Sequence, residues 1–401
     1  MGPLATTTTT RTTTSTLSET HERLHQQQQE MSNTPLYLSL VIVSVKNKKT
    51  TDLRKCSATA NTKRQTDNFF QVFLSCYSTD AALCDKVKET INVNSTFTDL
   101  NDETLLGYTR ASQFILLTSD DKIKRFYPQA LVKQFSLEVQ PEYYDYDINA
   151  EFNSGNNQIN YQKYQKYNYI IFMGQNWWFK TDNVTIESNQ YDFYATVLHE
   201  FMHGLGILSS WSGDLETNEK KNITGLTHSD FDYYNYQFFG FYEYIFDRYV
   251  KFVKNNVKST STNYAYQLNM AEANGTSFNS YSEFVTAVKS SAQWKYAESA
   301  LTSATTDASL HFTPAEDTNL NEDIELESGL NPGSSICHVS QKLNTTSDFL
   351  LTWSREPGIT LEESIQIGGN YSSPIGPRIL SILESMGYET DTHPNPINPI
   401  Y

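Results

Sequence analysis

The sequence predicts an α+β fold. Three features carry that prediction: an amphipathic helical segment at residues 191–208, short aromatic and apolar runs ahead of it that read as strands, and a turn-rich stretch behind it that closes on a second helix. With 401 residues the chain can bury a sizeable core and a cleft.

Residues 1–30, with TTTTTRTTTST followed by HQQQQE, form a polar low-complexity tail that cannot bury enough apolar surface to order itself. Residues 36–45 (LYLSLVIVSV) carry no charge. They are too short to span a bilayer, but match the apolar core of a secretion signal if translation starts at Met31. No basic residue lies between Met31 and the run and no Ala-x-Ala-like site follows it, so a buried strand is the competing reading. We expect secretion, with residues 1–65 outside the fold.

Globular patterning begins near residue 66. Residues 68–74 read as a strand, 79–90 as a helix with a Ser/Thr/Asp start, 113–117 and 167–173 as further strands, and the Tyr- and Asn-rich stretch 140–166 as an elaborated loop. In 191–208, Phe193, Val197 and Phe201 recur at four-residue steps beside Tyr194, Leu198 and Met202. Asp192 is the expected cap, and Gly204 and Gly206 mark the end. The Tyr/Phe-rich 231–253 is expected to be core, 255–330 a helical or loop-rich insertion, 378–386 a helix, and 391–401 a Pro-rich tail.

A net charge of −16 opposes approach to phosphate backbones and anionic membranes, so neither nucleic acid nor stable membrane insertion is expected. Asn-x-Ser/Thr triplets begin at Asn94, Asn183, Asn222, Asn274, Asn344 and Asn370, available for glycosylation on a secretory route. Of the four cysteines, Cys76 and Cys84 are the favoured disulfide pair, and Cys337 is expected in a disulfide rather than as a thiolate ligand.

The chemistry-bearing motif is His199-Glu200-Phe201-Met202-His203. Positions i and i+4 share a helix face, so His199 and His203 can aim both imidazoles at one zinc ion, while Glu200, about 100° around the helix, can take a proton from water activated by the ion. Catalytic zinc takes three protein ligands, and the residues alone leave the third open among His338, Glu216, Glu219, Glu243, His228, His311 and Cys337.

The motif resembles that of the metzincin zinc peptidases, His-Glu-x-x-His-x-x-Gly-x-x-His: His199, Glu200, His203 and Gly206 match, and Ser209 stands where the third histidine belongs. In the leishmanolysin-like branch an insertion separates that glycine from the third histidine. The chain looks similar, with Gly333-Ser334-Ser335-Ile336-Cys337-His338 followed by Asp348-Phe349-Leu350-Leu351-Thr352, Leu351 standing in place of the methionine of the Met-turn. Secreted fungal and bacterial proteins with His-Glu-x-x-His-Gly-Leu-Gly-Phe are also similar. The resemblance implies His199, His203 and His338 as zinc ligands and Glu200 as general base of a secreted monomeric endopeptidase acting on proteins or peptides. It implies a metzincin-like two-lobed domain over 66–390 (N-lobe 66–210, insertion and C-lobe 211–390), with the active-site helix below a mixed sheet and a loop-rich C-lobe. It also places Trp177 and Trp178 near a substrate-binding edge strand. The competing expectation is a catalytically silent secreted zinc-binding or surface protein on the same fold, motivated by Ser209 and Leu351.

Overall fold

The computed structural model describes residues 91–390 apart from 99, 101, 103–104, 136, 154–176, 181–184, 214–222, 330–334 and 372, together with 41–42, 71–72, 393 and 399. The expected strand at 167–173, helix at 79–90, the Cys76–Cys84 pair, Glu216, Glu219, Asn183 and Asn222 lie outside the described residues, and so does most of the apolar run and of the strand at 68–74. From those two runs, β1 (Val41–Ile42) and β2 (Gln71–Val72) pair in parallel.

The sheet nearest the site has the order β3-β7-β4. In it β3 (Val93–Thr98) runs parallel to β7 (Ile148–Asn153), and β4 (Gly107–Ala111) runs antiparallel on the other side of β7. Within 140–166 the expected loop is therefore a strand over 148–153. Ile148, Ala150 and Phe152 alternate inward with outward Asn149 and Glu151, a period of two in which the outward polar residues dilute the apolar signal. Asn94 Nδ2 donates to Asn149 Oδ1 at 3.2 Å, so the asparagines that suggested a loop form a cross-strand pair. The strand expected at 113–117 is β5 (Phe114–Thr118), which pairs with β6 (Lys124–Pro128) in a hairpin followed by the single turn α1 (Gln129–Val132).

α2 (Phe193–Gly204) starts later than expected because Tyr191–Asp192 forms a short strand, β9, parallel to β8 (Trp177–Trp178). Asp192 caps the helix, its side chain accepting from the Ala195 amide at 3.2 Å. The apolar face, with Ala195, Leu198, Phe201 and Met202 fully buried, packs on the sheet. Gly204 is required there, since a Cβ would lie 2.5 Å from Ile148 Cγ2. Gly206, at φ 98°, then turns the chain out of the helix.

Behind α2 lie the hairpin β10 (Asp230–Asp232) and β11 (Gln237–Gly240), then a four-stranded antiparallel sheet in the order β13-β12-β14-β15. Its strands are β12 (Val250–Lys254), β13 (Val257–Thr260), β14 (Leu310–Phe312) and β15 (Ile324–Glu325). Between β13 and β14 come α3 (Ser261–Leu268), α4 (Tyr281–Ser290) and α5 (Trp294–Ala304), so the 255–330 stretch is helical with strands at its ends. The aromatic stripe splits: Phe238, Phe241, Phe246 and Phe252 are core, whereas Tyr234 is 96% exposed. Two further helices, α6 (Leu361–Ile367) and α7 (Pro377–Met386), follow. α7 begins one residue ahead of its expected start, with Pro377 in the first turn, and ends at left-handed Gly387. Tyr388 Oη donates to the Leu205 carbonyl at 2.7 Å, tying this end to the turn after α2. No described helix is long and apolar enough to cross a membrane.

Candidate metal centre

Three rings from distant parts of the chain meet. His199 and His203 project from one face of α2, and His338 comes from the segment after residue 335. That segment lies between two others: Leu326 and Val339 form an antiparallel bridge, and Val339 and Thr352 a parallel one. The Glu327 amide donates to the His338 carbonyl at 2.9 Å, and the Val339 amide to the Leu351 carbonyl at 3.0 Å. Ile336, two residues before the ligand, holds φ 75°, a strained setting for a β-branched residue that costs about 1–3 kcal/mol. Its own amide bonds Glu327 and its side chain is buried, so packing holds the strain in place.

The three Nε2 atoms form a nearly equilateral triangle: 3.1 Å from His199 to His338, 3.1 Å from His203 to His338 and 3.2 Å from His203 to His199. His199 Nδ1 donates to the Leu350 carbonyl at 2.6 Å and His203 Nδ1 to the Ile207 carbonyl at 2.8 Å. The proton of each ring is thereby placed on Nδ1, and the two Nε2 lone pairs face inward. His338 Nδ1 has Cys337 Sγ at 3.6 Å. Lone pairs converging at this spacing repel one another unless a cation sits among them. Burial pushes the His199 pKa down to about 3, helped by His203 and, less, by the charge of Arg355, and burial lowers that of His203, so both rings stay neutral and able to ligate. His199, His203 and His338 can together hold a metal ion.

Glu200, next to His199 in the chain, lies against β4. A Cβ on Gly107 would be 3.0 Å from its Cγ, Cδ and Oε1, so the strand backbone touches the carboxyl. Burial raises its pKa to about 8, and the neighbouring Thr109 hydroxyl offsets part of the shift.

The rival ligands that are described serve elsewhere. Glu243 is bound by Arg125, Ser261 and Thr262. His228 is buried against Trp211 and Phe241, and His311 on β14 bonds the Ala308 carbonyl. Cys337 is a free, buried thiol and not the expected disulfide partner, and burial pushes its pKa up to about 12; the group of side chains that can hold a metal is His199, His203 and His338, without it. Trp177 and Trp178 are buried, Trp177 against Phe193, and the strand that reaches Glu200 is β4.

Sequence reasoning missed Asp247. It accepts from Ser209 Oγ at 2.7 Å, Ser210 N at 2.8 Å and Ser210 Oγ at 2.6 Å, and so fixes the turn that follows Ile207. Ser209 is thus a partner of Asp247. A buried acid next to a Ser-Ser pair gives no local pattern that would have revealed this.

The elements define an α+β protein with a buried three-histidine centre and an adjoining carboxyl. Residues 95–401 match the model of the SPBPB7E8-like family, and the chain belongs to that family. No curated protein and no solved structure matches the chain.

Proposed function

We propose that the protein is a zinc-dependent endopeptidase of metzincin-like, leishmanolysin-like type, acting outside the cell on proteins or peptides. One observation carries the reading: three inward Nε2 atoms 3.1–3.2 Å apart, with a buried carboxyl on the residue next to the first ligand. Nitrogens on a tetrahedral zinc with Zn–N of about 2.0–2.1 Å stand about 3.3 Å apart, so the triangle fits zinc with little adjustment and leaves the fourth position for chemistry. When bound, zinc supplies Lewis acidity, polarising the scissile carbonyl and acidifying water to a pKa of about 7.

The chain's own groups do the remaining work. The Leu350 and Ile207 carbonyls orient two ligand rings and hold their protons on Nδ1. Glu200, next to His199 in the chain, takes the proton of the attacking water and returns it to the leaving amine. β4 is an edge strand of its sheet among the described residues, and its backbone touches Glu200, which suits an extended substrate added alongside it. Leu351, where the resemblance expects a methionine of nearly equal volume, is fully buried. Asn274, Asn344 and Asn370 lie on exposed turns, as glycan acceptors of a secreted protein require, whereas Asn94 is half-buried in β3.

The test is Glu200→Gln. It is expected to keep one zinc per chain and to lose peptide cleavage by about 100-fold or more. A variant that cleaves as well as the parent, or a zinc-loaded parent that cleaves no peptide, overturns the reading; the second result would favour a silent zinc-binding protein.

A further inference from the structure

Arg355 differs from the other arginines that are not exposed among the described residues. Arg125 is met by Asp121 and Glu243, Arg248 by Asp120, and Arg378 by Asp348. Arg355 has no ion pair among the described residues. Its Nη1 is buried without a hydrogen-bond partner, and its Nη2 reaches the Ser364 hydroxyl at 3.2 Å. Its charge otherwise rests on the ring of Phe349, 5.9 Å from the centroid. Asp192 acts on it at longer range, but both Asp192 oxygens are taken by the Ala195 and Leu361 amides. Burying a cation without a counter-ion is costly, and folds retain such groups where a ligand completes them.

Its position says which ligand. The strap carrying Arg355 leaves the metal centre at Leu350, whose carbonyl holds His199, and runs to Gly358, whose amide bonds the Gln190 carbonyl at 2.7 Å. The guanidinium is close enough to His199 for its charge to act on that ring. Trp353, 45% exposed on the same strap, offers an apolar wall, and Arg355 as a residue keeps part of its surface exposed although its Nη1 is buried.

We propose that Arg355 is a specificity-determining residue that receives a carboxylate of the substrate close to the scissile bond. This rests on the peptidase reading. The carboxylate belongs either to an Asp or Glu side chain or to the free C-terminus of a short peptide; a planar guanidinium pairs with both in the same bidentate way.

The experiment uses the zinc-loaded full chain and matched short peptides with Glu or Gln at each position flanking the cleaved bond, each made with a free or an amidated C-terminus. Cleavage is read as kcat/KM on the parent, and binding as fluorescence anisotropy on Glu200→Gln. A carboxylate is expected to improve both by about 10- to 100-fold. The Glu/Gln arm and the acid/amide arm show which carboxylate is used. Arg355→Met should abolish the preference and Arg355→Lys should keep part of it. Equal treatment of acidic and neutral peptides by the parent overturns the proposal even if Arg355→Met does not fold, and so does a preference that survives Arg355→Met. Cleavage without charge preference removes the proposal and leaves the peptidase reading. Binding preference with no cleavage in any arm does the reverse.

Discussion

Gly107→Ala perturbs the proposed general base without touching a metal ligand. The added Cβ would stand 3.0 Å from Glu200 Cγ, Cδ and Oε1, against an ordinary carbon contact of about 3.5–4.0 Å, so the carboxyl must retreat by about 0.5 Å. A misplacement of about 1 Å costs about 100-fold in rate, which puts the expected loss near 10-fold in kcat. The backbone at 107 is not in the left-handed region, so alanine fits it. Crowding then costs about 1–3 kcal/mol, partly offset by about 0.4–1 kcal/mol from the stiffer unfolded chain. Zinc content should not change, because His199 and His203 are held by carbonyls outside this contact. The assay is kcat and KM on one peptide beside metal content by atomic absorption. A folded, zinc-replete Gly107→Ala protein with the parent kcat would refute the placement of Glu200 as the proton carrier, and a loss confined to zinc content would refute the separation of base from ligands.

Asp247→Asn places an amide where a carboxyl accepts from Ser209 and Ser210; about 1–3 kcal/mol of stability should be lost, and zinc affinity should fall about 10- to 100-fold through the Ile207 carbonyl, as urea melts and metal competition can show. His228 has a folded pKa of about 3, below its unfolded value, so its contribution is full above about pH 6.5 and is lost as pH falls from there towards 3, at about 1.4 kcal/mol per pH unit. His228→Leu should therefore lose about 2 kcal/mol less than the parent between pH 7 and pH 5, and identical pH dependence in denaturant melts would contradict this. Leu351→Met should leave zinc content unchanged and shift stability by less than about 1.5 kcal/mol; a marked change in either would show that the base of the centre depends on which residue stands there.

What the sequence disclosed follows from how local each signal is. The α2 helix, its Asp192 cap and the pairing of His199 with His203 are written within one stretch of chain, because a 3.6-residue period fixes which side chains share a face. His338 lies 139 positions from His199, and periodicity says nothing about such a separation; a family resemblance pointed to it, and the bridges from Val339 to Leu326 and Thr352 place it. β3, β4 and β7 were hidden because their outward residues include Asn, Glu, Thr, Arg and Tyr, which blur the two-residue alternation. The contact of Glu200 with Gly107 is likewise a product of packing between two elements, as is the role of Asp247. The disulfide expected for Cys337 failed because the residue sits in the interior beside His338, a position that spacing along the chain does not reveal.

The most direct measurement is the zinc affinity of His338→Ala, by chelator competition, beside His228→Ala as a buried-histidine control. If the late imidazole closes the triangle with His199 and His203, its removal should weaken zinc binding by more than about 100-fold, since loss of even an outer partner of a ligand costs about 10- to 100-fold, while the control keeps the parent affinity. Parent-like zinc affinity in a folded His338→Ala protein would contradict the three-histidine centre.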